Sequence, residues 1–394
     1  MIAENFTYDC GTLSFFLKGR VDSANAGEKE QEIRTALETG PVENLIIDCD
    51  ELEYISSAGL RVLLRLRQKY ENLKLINVCS DVYEIFEMTG FTEMLDISKA
   101  FKVISIEGKE IIGKGANGYV YRIDPDTVVK AYNNPDALED ITRERELART
   151  AFVLGVPTAI SYDVVKLKEG GYGSVFELLN ATSFAKLLID KKNTIDEVAK
   201  MSVDLLKIIH STEIKPGSMP SMKATALDWA DFIKDYLDEP LYTKLRSLIE
   251  AVPEDYHMMH GDYHIKNVML QNGESLLIDM DTLCYGHPIF ELASMYNAYV
   301  GYRELDHKSS PSFLGIAYEE QVELWNKMLP LYLDTTDEAR VREVESKAMI
   351  IGYTRIMRRR LRRDGFSTES GRQQIELCKE YLGRLLPVTD TLTF

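Results

Sequence analysis

The strongest constraint on this chain is an ordered series of residues along its middle and later parts. Gly113-Lys114-Gly115-Ala116-Asn117-Gly118 is followed by Val128-Val129-Lys130. Far downstream come His260-Gly261-Asp262-Tyr263-His264-Ile265-Lys266-Asn267 and then Leu276-Leu277-Ile278-Asp279. A lone G-x-G-x-x-G is weak, and its context decides the reading. A dinucleotide fingerprint requires a helix straight after the glycines. Here Tyr119-Val120-Tyr121-Arg122-Ile123 alternates like a strand, which predicts a glycine-rich hairpin folded over phosphates. The missing Cβ atoms of Gly113, Gly115 and Gly118 let backbone N–H groups approach phosphate oxygens. Val120 falls where such a hairpin sets an apolar side chain against adenine. An ordinary glycine turn is the alternative.

Lys130 lies inside an apolar strand, where an ammonium needs a counter-charge. The helix that follows offers Glu144 and Glu146. Its distance from the Gly155-Val156-Pro157 turn favours Glu146 as the partner that pins Lys130 toward the α- and β-phosphates. Asp262 and Asn267, five apart and followed by an apolar strand, have catalytic-loop spacing for phosphoryl transfer. Asp262 can accept or orient the proton of an attacking hydroxyl, and Asn267 can offer a neutral oxygen to Mg2+, a hard cation. Asp279, ending an apolar run after the Asn272-Gly273 turn, is the second expected metal ligand, with Asp281 as its competitor.

Composition limits the rest. The 46 basic and 63 acidic residues give a net charge of −17, which argues against nonspecific binding to nucleic acid or an anionic membrane. No run of apolar residues is long enough to span a bilayer, and no secretory leader is evident. The five cysteines are scattered and never in C-x-x-C spacing, which fits a cytoplasmic protein. Four of the six histidines fall between His257 and His287, yet there is no H-E-x-x-H, so a zinc hydrolase is the weaker reading.

Periodicity divides the chain near residue 102. Residues 1–102 alternate strands (12–17, 44–48, 73–78) with helices (28–37, 59–70), predicting an α/β sheet with helices packed on it. Residues 103–394 read as α+β and bilobal. A small lobe over about 103–180 has closely spaced strands and a helix at 139–154. A helical lobe follows over about 181–394, broken by a strand-and-loop island at 258–281.

On these motifs, residues from about 105 onward resemble the aminoglycoside-phosphotransferase and choline-kinase branch of the kinase-like fold. H-G-D, His264 two residues after the aspartate, Gly286-His287-Pro288 and Glu291-Leu292-Ala293 carry the likeness. The resemblance implies ATP and Mg2+ as cofactors and a small-molecule hydroxyl acceptor. It also implies that the hinge Phe176-Glu177-Leu178-Leu179 meets adenine through its backbone, with Glu177 and Leu178 in the nucleotide site. It places His264 near the γ-phosphate and makes Glu291, where the branch often has Asp, a brace for the catalytic loop.

The N-terminal run Ile55-Ser56-Ser57-Ala58-Gly59-Leu60-Arg61-Val62-Leu63-Leu64 reads as a turn entering an amphipathic helix, with Ser56 or Ser57 as N-cap. With Gly19-Arg20-Val21-Asp22-Ser23, it resembles the STAS domain of bacterial anti-sigma-factor antagonists. That resemblance implies Ser57 as a phosphoacceptor and an anti-sigma factor or a kinase as partner. Ser56 stands where those relatives often have aspartate. Three functions follow as expectations: a kinase for a small alcohol, a kinase for protein serine including Ser57, or a non-catalytic nucleotide-sensing antagonist. The arginine-rich helix from Arg355 to Arg363 is expected to be a solvated or ion-paired face, with holding an anionic substrate or the STAS unit as alternatives.

Overall fold

The computed structural model describes residues 5–115, 117–305 and 313–394, so Ala116 of the glycine motif lies outside the described residues. The chain forms two compact units, Met1–Gly108 with Val164–Gly173, and Lys109–Asp163 with Ser174–Phe394.

The first unit contains β1 (Phe6–Asp9), β2 (Thr12–Phe16), β3 (Gly19–Val21), α1 (Ala26–Leu37), β4 (Asn44–Asp48), β5 (Leu52–Ile55) and α2 (Ser57–Lys69). It continues with β6 (Leu73–Val78), α3 (Ser80–Met88), α4 (Phe91–Met94), β7 (Asp96–Lys99) and β8 (Lys102–Ile104). Its main sheet runs β1-β2-β4-β6-β7, antiparallel only at β1–β2; β3 and β5 form a separate parallel pair. Leu13, Phe15, Leu45, Ile47, Leu75 and Val78 are buried. The apolar run of β4 predicts burial of both faces, but Ile46 is only half-buried, so one face is sealed fully and the other in part. The unit extends past residue 102 because β8 pairs in parallel with the strand Asp163–Leu167. The Glu169 carboxylate adds bonds from Ser105 Oγ and the Ile106 and Glu107 amides.

The second unit begins with β9 (Glu110–Lys114), β10 (Gly118–Arg122), β11 (Thr127–Tyr132) and α5 (Leu138–Val153). After β12 (Asp163–Leu167) comes β13 (Tyr172–Glu177), which flanks β11 on the side away from β10. The helical part holds β14 (Thr182–Ser183), α6 (Phe184–Ile189), α7 (Ile195–His210), α8 (Met222–Phe232), α9 (Glu239–Glu250), β15 (Met258–Met259), β16 (Val268–Gln271) and β17 (Glu274–Leu277). It closes with β18 (Cys284–Tyr285), α10 (Ile289–Tyr296), α11 (Tyr318–Tyr332), α12 (Glu338–Arg363) and α13 (Glu369–Leu385). β14-β16-β17 form one small sheet and β15–β18 another. Asn272 and Gly273 both have positive φ (52° and 87°), the conformation that turns a two-residue hairpin, and they close β16 onto β17. Residues 260–267 are thereby held between β15 and β16. Among the described residues, no helix is long and apolar enough to cross a membrane.

Gly59 fixes the approach of α2. A Cβ there would lie 2.6 Å from Ile55 Cγ1 and 2.9 Å from Val21 Cγ1, both in the core. Gly59→Ala is expected to lower unfolding stability by about 1–3 kcal/mol through overpacking, despite the better helix propensity of alanine. Denaturant titration of the full chain measures this, and an unchanged midpoint would mean that α2 shifts at no cost.

Candidate active site

Lys130 sits opposite Val120 in the β10–β11 register, which places both side chains on one face of the small sheet. Its Nζ bonds Glu144 on α5 at 2.9 and 3.2 Å and Asp279 at 2.6 Å. Burial alone would lower the lysine pKa, but the Glu144 and Asp279 carboxylates outweigh it and hold the ammonium well above its usual range. Tyr132 Oη also donates to Glu144 at 2.7 Å. The sequence-based choice of Glu146 is therefore corrected to Glu144. On α5, Ile141, Glu144, Leu147, Ala148 and Ala151 form the buried stripe, and Glu146 faces solvent.

The glycines differ in what they do. A Cβ on Gly118 would meet the Ala131 carbonyl oxygen at 2.0 Å, so this glycine is required by strand packing. Gly113 lies against Val120, whereas a Cβ on Gly115 would approach nothing nearer than 3.9 Å. Gly115 is thus the position with open space beside its backbone. Asn117 Nδ2 donates to Asp281 at 2.9 Å and ties the loop to the acid cluster. In the hinge segment, Glu177 is exposed, and the Leu178 N–H is already bonded to the Asp126 carbonyl at 2.7 Å. That N–H is not a spare donor, so an adenine contact by Leu178 would have to use its carbonyl.

Residues 260–267 are held by hydrogen bonds from several elements. Gly261 has φ +81°, and a Cβ there would lie 2.4 Å from the Thr282 carbonyl oxygen. The buried Glu291 carboxylate accepts from the amides of His260 (2.6 Å), Gly261 (3.0 Å) and Tyr263 (3.3 Å). Burial would raise its pKa, yet His210, His260 and the Gly261 amide bring it below the usual value. Thr282 Oγ1 donates to the His260 carbonyl, and Tyr299 Oη accepts from the Ile265 amide. Asn267 Nδ2 donates to the Asp262 carbonyl at 3.1 Å.

Asp262 is left half-buried at the head of this loop. His264 Nε2 lies 3.5 Å from one carboxylate oxygen and Arg355 Nη2 lies 3.9 Å from the other. Burial raises the Asp262 pKa, but His264, then Arg355 and His260, outweigh it and bring the value to about 2. Arg355 also bonds Ser294 Oγ (2.6 Å) and the Gly261 carbonyl (3.3 Å). This residue was missed as a site member, because only its place within a general basic helix showed in the sequence.

Across Lys130, Asp279 takes a left-handed backbone conformation (φ 63°), and Asp281 is pushed up to about 7 by burial, Asp279 and Glu144. Several carboxylates thus share a single lysine, an excess of negative charge that suits a divalent cation. Among the described residues no group of three or more histidine, cysteine or carboxylate side chains is arranged to hold a metal. Magnesium, however, commonly takes one or two protein ligands and completes its shell with substrate phosphates and water. Asn267 and Asp279 fit that role, since the Ile278 amide bonds the Asn267 carbonyl and brings the two residues together. The histidines of the zinc alternative are engaged separately: His257 with Asp255, and His260 with the Ile278 carbonyl.

In the first unit Ser56 is the N-cap of α2, its Oγ accepting from the Ala58 amide at 3.2 Å. Ser57 is the first helical residue and is exposed, so its hydroxyl is not the cap.

A strand-borne lysine paired with a helix glutamate, an ionised aspartate on a braced loop and a following carboxylate pair define a kinase-like phosphotransferase site. The chain belongs to the phosphotransferase enzyme family, whose model matches residues 110–328, and residues 6–103 match the STAS domain. The STAS part is 37% identical over 94 residues to the anti-sigma factor antagonist BtrV named in Bordetella bronchiseptica, covering 23% of this chain and 80% of that protein. Solved structures similar to this chain include the GDP and kanamycin complex of APH(2")-IIia (13% identity, 77% of this chain and 98% of that chain, TM-score 0.47). A choline/ethanolamine kinase family protein from Mesorhizobium loti is also similar (14% identity, 72% and 90%, TM-score 0.47).

Replacing Glu291 by Gln removes the negative charge from three buried N–H bonds. The variant is expected to lose about 1.5–3 kcal/mol of unfolding stability, read by denaturant titration. A loss below half a kcal/mol would mean that the loop holds its shape without this carboxylate.

Proposed function

We propose that the second unit transfers the γ-phosphoryl group of Mg-ATP to an alcohol hydroxyl in the cytoplasm, and that the STAS unit is a regulatory module that docks an anti-sigma factor. The observation that carries the catalytic reading is the placement of the Asp262 carboxylate, 3.5 Å from His264 Nε2 and 3.9 Å from Arg355 Nη2, on a loop whose backbone amides bond Glu291. A carboxylate so placed can orient an acceptor hydroxyl and receive its proton late, as the oxygen attacks the γ-phosphorus in line. The P–O bond to the β-phosphate breaks, ADP leaves, and the phosphate ester remains on the acceptor.

Lys130, fixed by Glu144, is positioned for the α- and β-phosphates, with Gly115 in the loop above them and Val120 toward the base. His264, close to Asp262, is suited to the γ-phosphate. When bound through Asn267 and Asp279, magnesium would neutralise phosphate charge. A small-molecule acceptor is favoured by the family. A protein serine is the second reading, favoured by the exposed and uncapped hydroxyl of Ser57. Phosphate there would sit at a helix N-terminus, where negative charge is favoured, and would change which partner docks.

Asp262→Asn should slow ATP turnover by about 10²–10⁴-fold in an ADP-release assay, while Mg-ATP still binds. Wild-type turnover in that variant would remove Asp262 from the chemistry. With radiolabelled ATP, label on the wild-type chain that disappears in Ser57→Ala selects the protein-serine route. Glu144→Gln is expected to weaken Mg-ATP binding by about tenfold or more, since a hydrogen bond to a charged group contributes about 1.5–3 kcal/mol. Glu146→Gln should stay within about twofold, as befits a solvent-facing residue. Calorimetric titration compares the pair, and equal losses would contradict the Glu144 assignment.

A further inference from the structure

Beside Asp262 the protein is cationic and aromatic. Arg355, Arg358, Arg359 and Arg362 recur at i, i+3, i+4 and i+7 and so lie on one face of α12. Arg355 reaches Asp262 and lies 5.3 Å from the Trp229 ring centre on α8. Tyr302, which adjoins Arg355, carries the Arg359 guanidinium 4.7 Å over its ring. Arg358 stacks on Phe232, and Phe313 packs edge-on against His264 at 5.3 Å.

The acids account for some of these cations and not for others. Arg358 is paired with Asp228 at 3.0 Å, and Arg360 is spent on Asp364, Gln374 and Ser370. Arg359 and Arg362 are exposed, and among the described residues neither forms an ion pair. A chain with 63 acidic and 46 basic residues does not lack carboxylates to place there. Complementing the negative end of the helix would need a cation only in the last turn, and Arg360, Arg362 and Arg363 already supply that. Arg359 lies before that turn, one helical turn or about 6 Å along the axis from Arg355.

This inference rests on the phosphotransfer reading and names its acceptor class. We infer that the acceptor is a small hydroxyl compound carrying an anionic group, a carboxylate or a phosphate, held by Arg359 while its hydroxyl meets Asp262. Guanidinium forks match such oxyanions in two-point fashion. A polycationic amino sugar would instead meet uncompensated like charge along this face. The reaction balances as acceptor hydroxyl plus ATP giving phosphate ester, ADP and a proton, the proton passing first to the Asp262 carboxylate.

The test uses the full chain and two readouts, ADP release with Mg-ATP and thermal stabilisation with Mg-ADP. Probes of one carbon skeleton are glycerol, glycerate, glycerol 3-phosphate and 3-amino-1,2-propanediol, with kanamycin as polycation. Glycerate or glycerol 3-phosphate should stabilise the protein and raise ADP release at least tenfold over the neutral and cationic probes; whichever does so identifies the anion. Arg359→Glu should raise KM for that probe at least tenfold with a smaller change in kcat, whereas Arg342→Gln, exposed near the start of the same helix, should not. Equal or greater response to the cationic probes in either readout, or an unchanged ranking in Arg359→Glu, overturns the inference. If Mg-ATP is bound in calorimetric titration but no probe is phosphorylated, the acceptor inference alone is overturned; if Mg-ATP is not bound at all, the phosphotransfer reading fails with it.

Discussion

One buried carboxylate organises the reactive part of this molecule. Glu291 has almost no exposed surface, and burying its charge would be prohibitive without donors to satisfy it. Three consecutive-region amides, from His260, Gly261 and Tyr263, provide them. The dependence runs both ways, since those N–H groups would otherwise be orphaned in a turn closed by the Thr282 carbonyl. Asp262 lies inside this bonded turn, so its direction is set by backbone geometry rather than by its own rotamer alone. His264 and Arg355 then act on a carboxylate already in place.

Much of the proposed active site was legible because phosphoryl transfer demands particular residue types in a fixed chain order. Asp262, Asn267 and Asp279 follow from spacing, and Lys130 from the cost of an ammonium in an apolar strand. Glu144 was legible too, but only through a different signal. Ile141, Leu147, Ala148 and Ala151 set a helical stripe that includes position 144 and excludes 146. Distance to the next turn was the wrong measure; helix phase was the right one. Leu178 and Gly118 show the opposite limit. Whether a hinge N–H is spent on Asp126, or a glycine is needed for a neighbouring strand, depends on tertiary contacts that no local pattern states.

The N-terminal unit divides in the same way. Alternation in β2 and β4 and the amphipathic run of α2 show its fold directly, while the two serines are separated only by geometry. Ser56 has an extended backbone (φ −93°, ψ 174°) and accepts the Ala58 amide, the usual conformation of an N-cap. Ser57 therefore enters the helix with its hydroxyl outward. The position that can receive a phosphate without losing the cap is the second serine.

Arg355 joins the two chemical halves of the site and explains why the basic helix could not be read from sequence alone. Its contact with the Gly261 carbonyl spans 94 positions in the chain. Composition marked its neighbours as one block, yet their fates differ: Arg358 and Arg360 are paired, and Arg359 lies on an aromatic ring. Glu144, Asp279 and Asp281 concentrate negative charge around Lys130. The aspartate thus stands at a change of sign, with acids where a cation and phosphates would be managed and guanidiniums where the acceptor would enter. A chain of net charge −17 that leaves exposed arginines there sets positive charge at close range, where local groups outweigh the overall field.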